Sequence, residues 1–180
     1  MNNLAGKSVA ILATDGFEQS ELSSPKDALE KAGASVHIVS VESGKIKGWS
    51  GDNWGDEFKV SKTLDNANSD DYDALVLPGG LINPDTLRQN EKAIKFVSAF
   101  FDDDRQRPVA AICHGPWLLA EAAQVSGKRL TSFPSIQTDL KNAGAHWEDK
   151  EVVVDGQIIT SRKPDDLDAF NKAIIDALVA

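Results

Sequence analysis

Short apolar runs, separated by turn residues and by stretches with helical periodicity, set the layout of this chain. Ser8-Val9-Ala10-Ile11-Leu12-Ala13, Ala74-Leu75-Val76-Leu77 and Val109-Ala110-Ala111-Ile112 are continuous apolar runs of strand length, as expected for strands covered on both faces. Val36-His37-Ile38-Val39-Ser40-Val41 reads as a further strand. Ser24-Pro25-Lys26-Asp27 has the form of a helix start, with serine as cap and proline at the first helical position. A start near Glu18 with a kink at Pro25 is the alternative. Leu22, Leu29 and Ala32 can share a face of that helix, and Gly33 is a stop. Asn90 to Phe101 reads as a helix with Ile94, Val97 and Phe101 on one face and Phe96 and Phe100 beside it. Glu42 to Asp56, with Trp49 and Trp54, reads as a long loop or hairpin, its tryptophans a local core, a lid or a subunit contact. Asp155-Gly156 between two β-rich runs is a hairpin signal. Pro164 to Leu178 closes the pattern as a helix with Leu167, Phe170, Ile174 and Leu178 facing inward. Strands alternating with helices predict a mostly parallel sheet with helices on both faces, in a single domain over residues 1–180.

In such sheets ligands sit beyond the carboxyl ends of the strands. Three marked turns fall there: Asp15-Gly16-Phe17-Glu18, Pro78-Gly79-Gly80 and Cys113-His114-Gly115. The last is the most informative segment of the chain. A strand ends at the one cysteine, and a helix-compatible run from Trp117 to Ala123 begins just after it. A sharp strand-to-helix turn holds a nucleophile in the open, and a helix start favours thiolate over thiol. The expectation is therefore a Cys113 thiol more acidic than a free one. His114 is the neighbouring acid or base. The N–H of His114 and one from Gly79 or Gly80 are candidate donors for a developing oxyanion. Glu18 is the acid at the end of the first strand, placed to meet the sulfur.

Composition narrows the function classes. The 180 residues carry 19 basic and 28 acidic side chains, a net charge of −9, which disfavours nucleic acid and anionic lipid as partners. No apolar run reaches the roughly 20 residues of a membrane span. No leader pattern precedes the first strand, and a lone cysteine allows no intrachain disulfide, so a reducing cytoplasm is expected. Asp102-Asp103-Asp104 reads as a solvated run. His37 and His146 read as packing or surface residues, so no metal site is expected. No phosphate-binding or dinucleotide glycine pattern is present. His146-Trp147-Glu148 matches the late His-x-Glu of glutamine amidotransferases. Only 33 residues separate Cys113 from His146, leaving little room for the strands that usually intervene, and the alternation suits a strand.

Four segments, in order, resemble the ThiJ/PfpI family in its branch of PfpI-type intracellular proteases and general stress proteins. They are Ala13-Thr14-Asp15-Gly16-Phe17-Glu18 with Glu21-Leu22, Asp73 to Gly80, Ala111-Ile112-Cys113-His114-Gly115-Pro116, and Thr160 to Leu167. The resemblance implies a flavodoxin-like three-layer α/β sandwich, no cofactor, and a homodimer or larger assembly. It implies Cys113 as nucleophile, Glu18 as its carboxyl neighbour and His114 as its histidine partner. The family's third acid, often a glutamate from a neighbouring subunit, corresponds to Asp85, one methylene shorter. The implied activity is hydrolysis of peptides or of methylglyoxal-type carbonyl adducts (peptidase, or deglycase/glyoxalase-like). A stress protein that senses oxidants through the same thiol is the alternative.

Overall fold

The computed structural model describes residues 3–180. In chain order the first half contains β1 (Ser8–Leu12), α1 (Gln19–Lys31), β2 (Ser35–Ser40), β3 (Lys45–Ser50), β4 (Asn53–Lys59), β5 (Lys62–Thr63), β6 (Ala74–Leu77), α2 (Ile82–Leu87) and α3 (Glu91–Ala99). The second half contains β7 (Val109–Ile112), α4 (Pro116–Glu121), β8 (Arg129–Leu130), α5 (Gln137–Asn142), β9 (His146–Trp147), β10 (Val153–Asp155), β11 (Ile158–Ser161) and α6 (Leu167–Val179).

Seven strands form one sheet in the order β10-β11-β7-β6-β1-β2-β5. All neighbours pair parallel except β10, which the Asp155-Gly156 turn folds back against β11. Side chains alternate between faces along each central strand. Ala10, Leu12, Leu75, Leu77, Val109 and Ala111 pack against Phe96, Val97, Phe100, Leu118 and Leu119 from α3 and α4. Val9, Ile11, Val76, Ala110 and Ile112 face Leu22 and Leu29 of α1 and Phe170, Ile174 and Leu178 of α6. Each fully buried Val, Leu, Ile or Phe among these contributes roughly 1.5–3 kcal/mol of transfer free energy. This is the expected three-layer α/β architecture.

The structure decides two alternatives left open by the sequence and shifts one helix face. Helix α1 begins at Gln19, with Glu18 before it, and runs through Pro25 rather than starting there. The buried face of α3 is Ala93, Phe96 and Val97, continued by Phe100, while Ile94 and Phe101 are only partly covered. The Glu42–Asp56 stretch belongs to a hairpin, β3 with β4, in which Trp49 and Trp54 meet edge to face at 5.3 Å. This hairpin lies beside the end of β1: Gly16 N–H donates to Lys47 C=O, and Trp49 N–H donates to Phe17 C=O. No helix of the described residues is long and apolar enough to cross a membrane.

Candidate active site

The carboxyl ends of β1, β6 and β7 converge as expected. Strand β7 ends at Cys113, whose φ of +64° is a left-handed conformation that a non-glycine residue adopts only under local constraint. The constraint is visible. Cys113 N–H donates to Ser161 C=O at the end of β11, Phe133 N–H donates to Cys113 C=O, and Gly115 N–H donates to Ile112 C=O. The chain then enters α4 through Pro116 at its first position.

The β6 turn presses against this elbow. A Cβ on Gly79 would sit 2.6 Å from both Cys113 Cβ and the carbonyl oxygen of Ile112, and one on Gly115 would sit 2.5 Å from the carbonyl oxygen of Leu77. Only glycine permits the two strand ends to approach so closely. Asn83, completely buried, braces the β6 turn. Its amide donates to the carbonyls of Pro78 and Gly79, and its oxygen accepts from Thr14 N–H at the end of β1.

The carboxyl against the sulfur is Glu21, not Glu18. Glu21 is fully buried on the first turn of α1, accepts from Gly79 N–H at 3.0 Å and interacts with the Cys113 thiol. Its second oxygen is buried without a hydrogen-bond partner. Burial, opposed by the Gly79 N–H, raises its pKa to about 8, so it holds a proton at neutral pH. Glu18 lies at the mouth, only partly covered, and burial raises its pKa too. Its charge reaches the sulfur as a minor influence. The helical phase of α1 decides between the two. Glu21 shares the buried stripe of Leu22, Pro25 and Leu29, and an acid on an apolar stripe is the signal that could have singled it out.

Burial and then the Glu21 charge push the Cys113 thiol up, the reverse of the expectation from its helix-start position. The N–H groups of Gly80 and His114 act in the opposite direction without overcoming this. Helix α4 has six residues and the cysteine is 7% exposed, so lost hydration outweighs the dipole. Of the expected oxyanion donors, Gly79 N–H is taken by Glu21, while those of Gly80 and His114 face the sulfur itself.

His114 Nδ1 lies 3.3 Å from Cys113 Sγ. Its ring stacks on Phe133, with centroids 4.9 Å apart, and meets Trp117 edge to face. Burial pushes its pKa down and nearby Asp139 pushes it up; the net is a histidine more readily neutral than usual. Asp139 also accepts from Trp117 Nε1–H at 2.9 Å, and Arg88 covers the Trp117 ring. The far nitrogen, Nε2, meets the Ser135 hydroxyl at 3.2 Å. Asp85 is exposed on α2, and within one chain the carboxylate acting on His114 is Asp139. Phe133, Ser135 and Asp139 follow Cys113 by 20 residues or more, in a turn and a short helix that carry no sequence signal linking them to the elbow, which hides them from a sequence reading.

The remaining histidines lie elsewhere. His37 Nδ1 meets the Tyr72 hydroxyl, and His146 is exposed on β9. Trp147 Nε1–H donates to Ser132, and Glu148 pairs with Arg129 and Lys150, so His146-Trp147-Glu148 belongs to the β8–β9 ribbon. Arg162, after β11, is held in a fork by buried Asp166, which ties the last matching segment to the base of the elbow.

Known proteins resemble this chain in sequence and fold. General stress protein 18 of Bacillus subtilis is 44% identical over 169 residues, covering 93% of this chain and 95% of its own. Protein/nucleic acid deglycase 2 of Escherichia coli is 43% identical over 176 residues, covering 97% and 99%. A crystal structure from Anabaena variabilis, of a two-domain protein with DJ-1/ThiJ/PfpI-like and ferritin-like domains, superposes with a TM-score of 0.89 at 37% identity. It covers 96% of this chain, which spans 48% of that longer one. The model of the DJ-1/PfpI family matches residues 7–177, and with its fold, its glycine-braced elbow and these relatives, the chain belongs to that family.

Proposed function

We propose that this chain is a cysteine-dependent hydrolase of small carbonyl adducts, deglycase or glyoxalase-like, with Cys113 as nucleophile. The observation that carries this reading is the constrained Cys113 elbow, its sulfur 3.3 Å from a histidine that favours the neutral form. A buried thiol that resists ionisation needs its proton removed as it attacks, and neutral His114 Nδ1 is the base within reach. As the sulfur bonds to the carbonyl carbon, the S–H bond breaks and the proton passes to Nδ1. The imidazolium then returns it to the substrate oxygen or the leaving group. Glu21 stays protonated beside the sulfur and adds no opposing charge below about pH 8. The small exposure of Cys113 favours a small electrophile over a polypeptide, and the full-length relative named as a deglycase supports the same class. Self-association accords with exposed Leu81 and Ile82 next to Asp85, where a neighbouring subunit would bring that carboxylate to the site.

Parallel assays on methylglyoxal, glycated amines and peptides, wild type against Cys113→Ser, test the reading. Turnover of carbonyl substrates that vanishes in the variant supports it. Turnover of peptides alone moves the assignment to a peptidase. Turnover that survives the substitution overturns it. Oxidant sensing has its own support in the unpartnered oxygen of protonated Glu21 beside the sulfur, which could donate a hydrogen bond to the oxygen of an oxidised cysteine. Peroxide titration followed by mass spectrometry, in a chain with no turnover, would favour that second reading.

A further inference from the structure

We propose that Ser135 is the positioning residue of His114, holding its ring in register from within the same chain; this rests on the reading of His114 as the proton acceptor of Cys113. The imidazole has two nitrogens and both are engaged, Nδ1 by Cys113 Sγ at 3.3 Å and Nε2 by Ser135 Oγ at 3.2 Å. Ser135 sits in a single 3-10 turn, Pro134–Ile136, whose leading residue Phe133 is bound to the nucleophile itself: its N–H donates to Cys113 C=O at 2.8 Å, and its ring stacks on His114. One short segment therefore sets the height of the cysteine, the plane of the imidazole and the partner of its far nitrogen.

The chemistry of a hydroxyl suits a proton that must go both ways. Ser135 can accept from Nε2–H, which leaves Nδ1 bare to take the thiol proton, or donate to Nε2, which leaves the proton on Nδ1 facing a thiolate. A carboxylate at the same place could only accept, and would favour the imidazolium. The charged groups near this ring are Asp139, bonded to Trp117 Nε1–H, and Arg88 over the Trp117 ring, with the Cys113 thiol at Nδ1. The acid on this side thus bonds the indole, and the hydroxyl bonds the imidazole.

The test uses the whole chain with ¹⁵N-labelled histidine, reading the two His114 ring nitrogens against pH, together with the pH profile of iodoacetamide alkylation at Cys113. Ser135→Ala should change the His114 tautomer ratio and slow alkylation near neutral pH by roughly three- to tenfold, the scale of one lost hydrogen bond. Ser135→Thr should restore both, and Ser135→Asp should raise the His114 midpoint. Circular dichroism confirms that each variant is folded; if Ser135→Ala does not fold, the Thr and Asp variants still carry the comparison. Unchanged ring-nitrogen shifts in Ser135→Ala, or an unmoved midpoint in Ser135→Asp, overturn the proposal. Neither readout requires a substrate, so a chain that behaves as expected here but hydrolyses nothing overturns the hydrolase reading alone.

Discussion

On one side of the Cys113 sulfur the wall is Glu21, Gly79 and the packed strand ends, all sealed from water. On the other, His114 lies between aromatic rings, with Ser135 of the following turn and Asp139 of α5 open to solvent. The sealed side sets protonation by desolvation: Glu21 is raised to about 8 and the thiol is pushed up with it. On the open side burial also favours neutral His114, but the charge of exposed Asp139 opposes it and the Ser135 hydroxyl meets its far nitrogen. The comparison assigns the two halves different work. The inner wall makes the thiol hard to ionise, and the outer wall holds the histidine nitrogen nearest to it.

Gly79→Ala should break the inner wall with the largest effect. The added methyl collides with Cys113 Cβ and with a backbone oxygen, and neither can rotate away. We expect about 1–3 kcal/mol or more of lost stability in urea unfolding and at least a tenfold change in alkylation rate. A variant as stable and as reactive as wild type would show the strand ends to be looser than drawn.

Glu21→Gln sharpens the same side. The folded pKa of Glu21, about 8, lies above its ordinary 4.5, so its stabilising contribution is complete below pH 4.5 and is lost as pH rises through about 8. Wild type should therefore lose on the order of a few kcal/mol between those limits, and the variant should show a flatter curve. Alkylation should gain less from rising pH above 8 in wild type than in the variant, because ionised Glu21 opposes the thiolate. Parallel stability curves for the two proteins would remove Glu21 from the sulfur's surroundings.

Asp139→Asn addresses the outer wall. It removes the charge that favours protonated His114, so the histidine midpoint should fall further, at a stability cost of about 1 kcal/mol or less from the weakened indole bond. A midpoint that rises would mean another group governs the ring. The smallest effect is expected from Glu18→Gln, less than twofold in alkylation, because this carboxyl stands partly in solvent at the mouth. An effect as large as that of Glu21→Gln would reverse the assignment of the two acids.

Much of the architecture was legible because its signals are local. Strands buried on both faces must be apolar at every position, and β6 and β7 lie where the runs Ala74–Leu77 and Val109–Ile112 lie. The elbow announced itself as a strand ending in Cys-His-Gly. What was not legible depended on orientation or on distance along the chain. The expected thiolate assumed an open turn, whereas the folded chain closes over Cys113 and makes ionisation costly. Two acids three residues apart, Glu18 and Glu21, look equivalent until the start and phase of α1 are known. That start lies ahead of the serine-proline signal, and α1 carries Pro25 beyond its first turn, where the missing N–H leaves one helical hydrogen bond unmade.

By itself, then, the amino-acid pattern determined a parallel α/β sheet, its layers, the convergence of three turns and the placing of a cysteine and its neighbouring histidine at the elbow. The tertiary structure alone decided which carboxyl touches the sulfur, which glycine N–H remains available, and which groups surround the histidine. Strand and helix formation follow from periodicities of a few residues. A thiol's proton, by contrast, answers to burial and to groups such as Ser135 and Asp139, which come near only when the sheet is assembled and the segment after α4 folds back over the elbow.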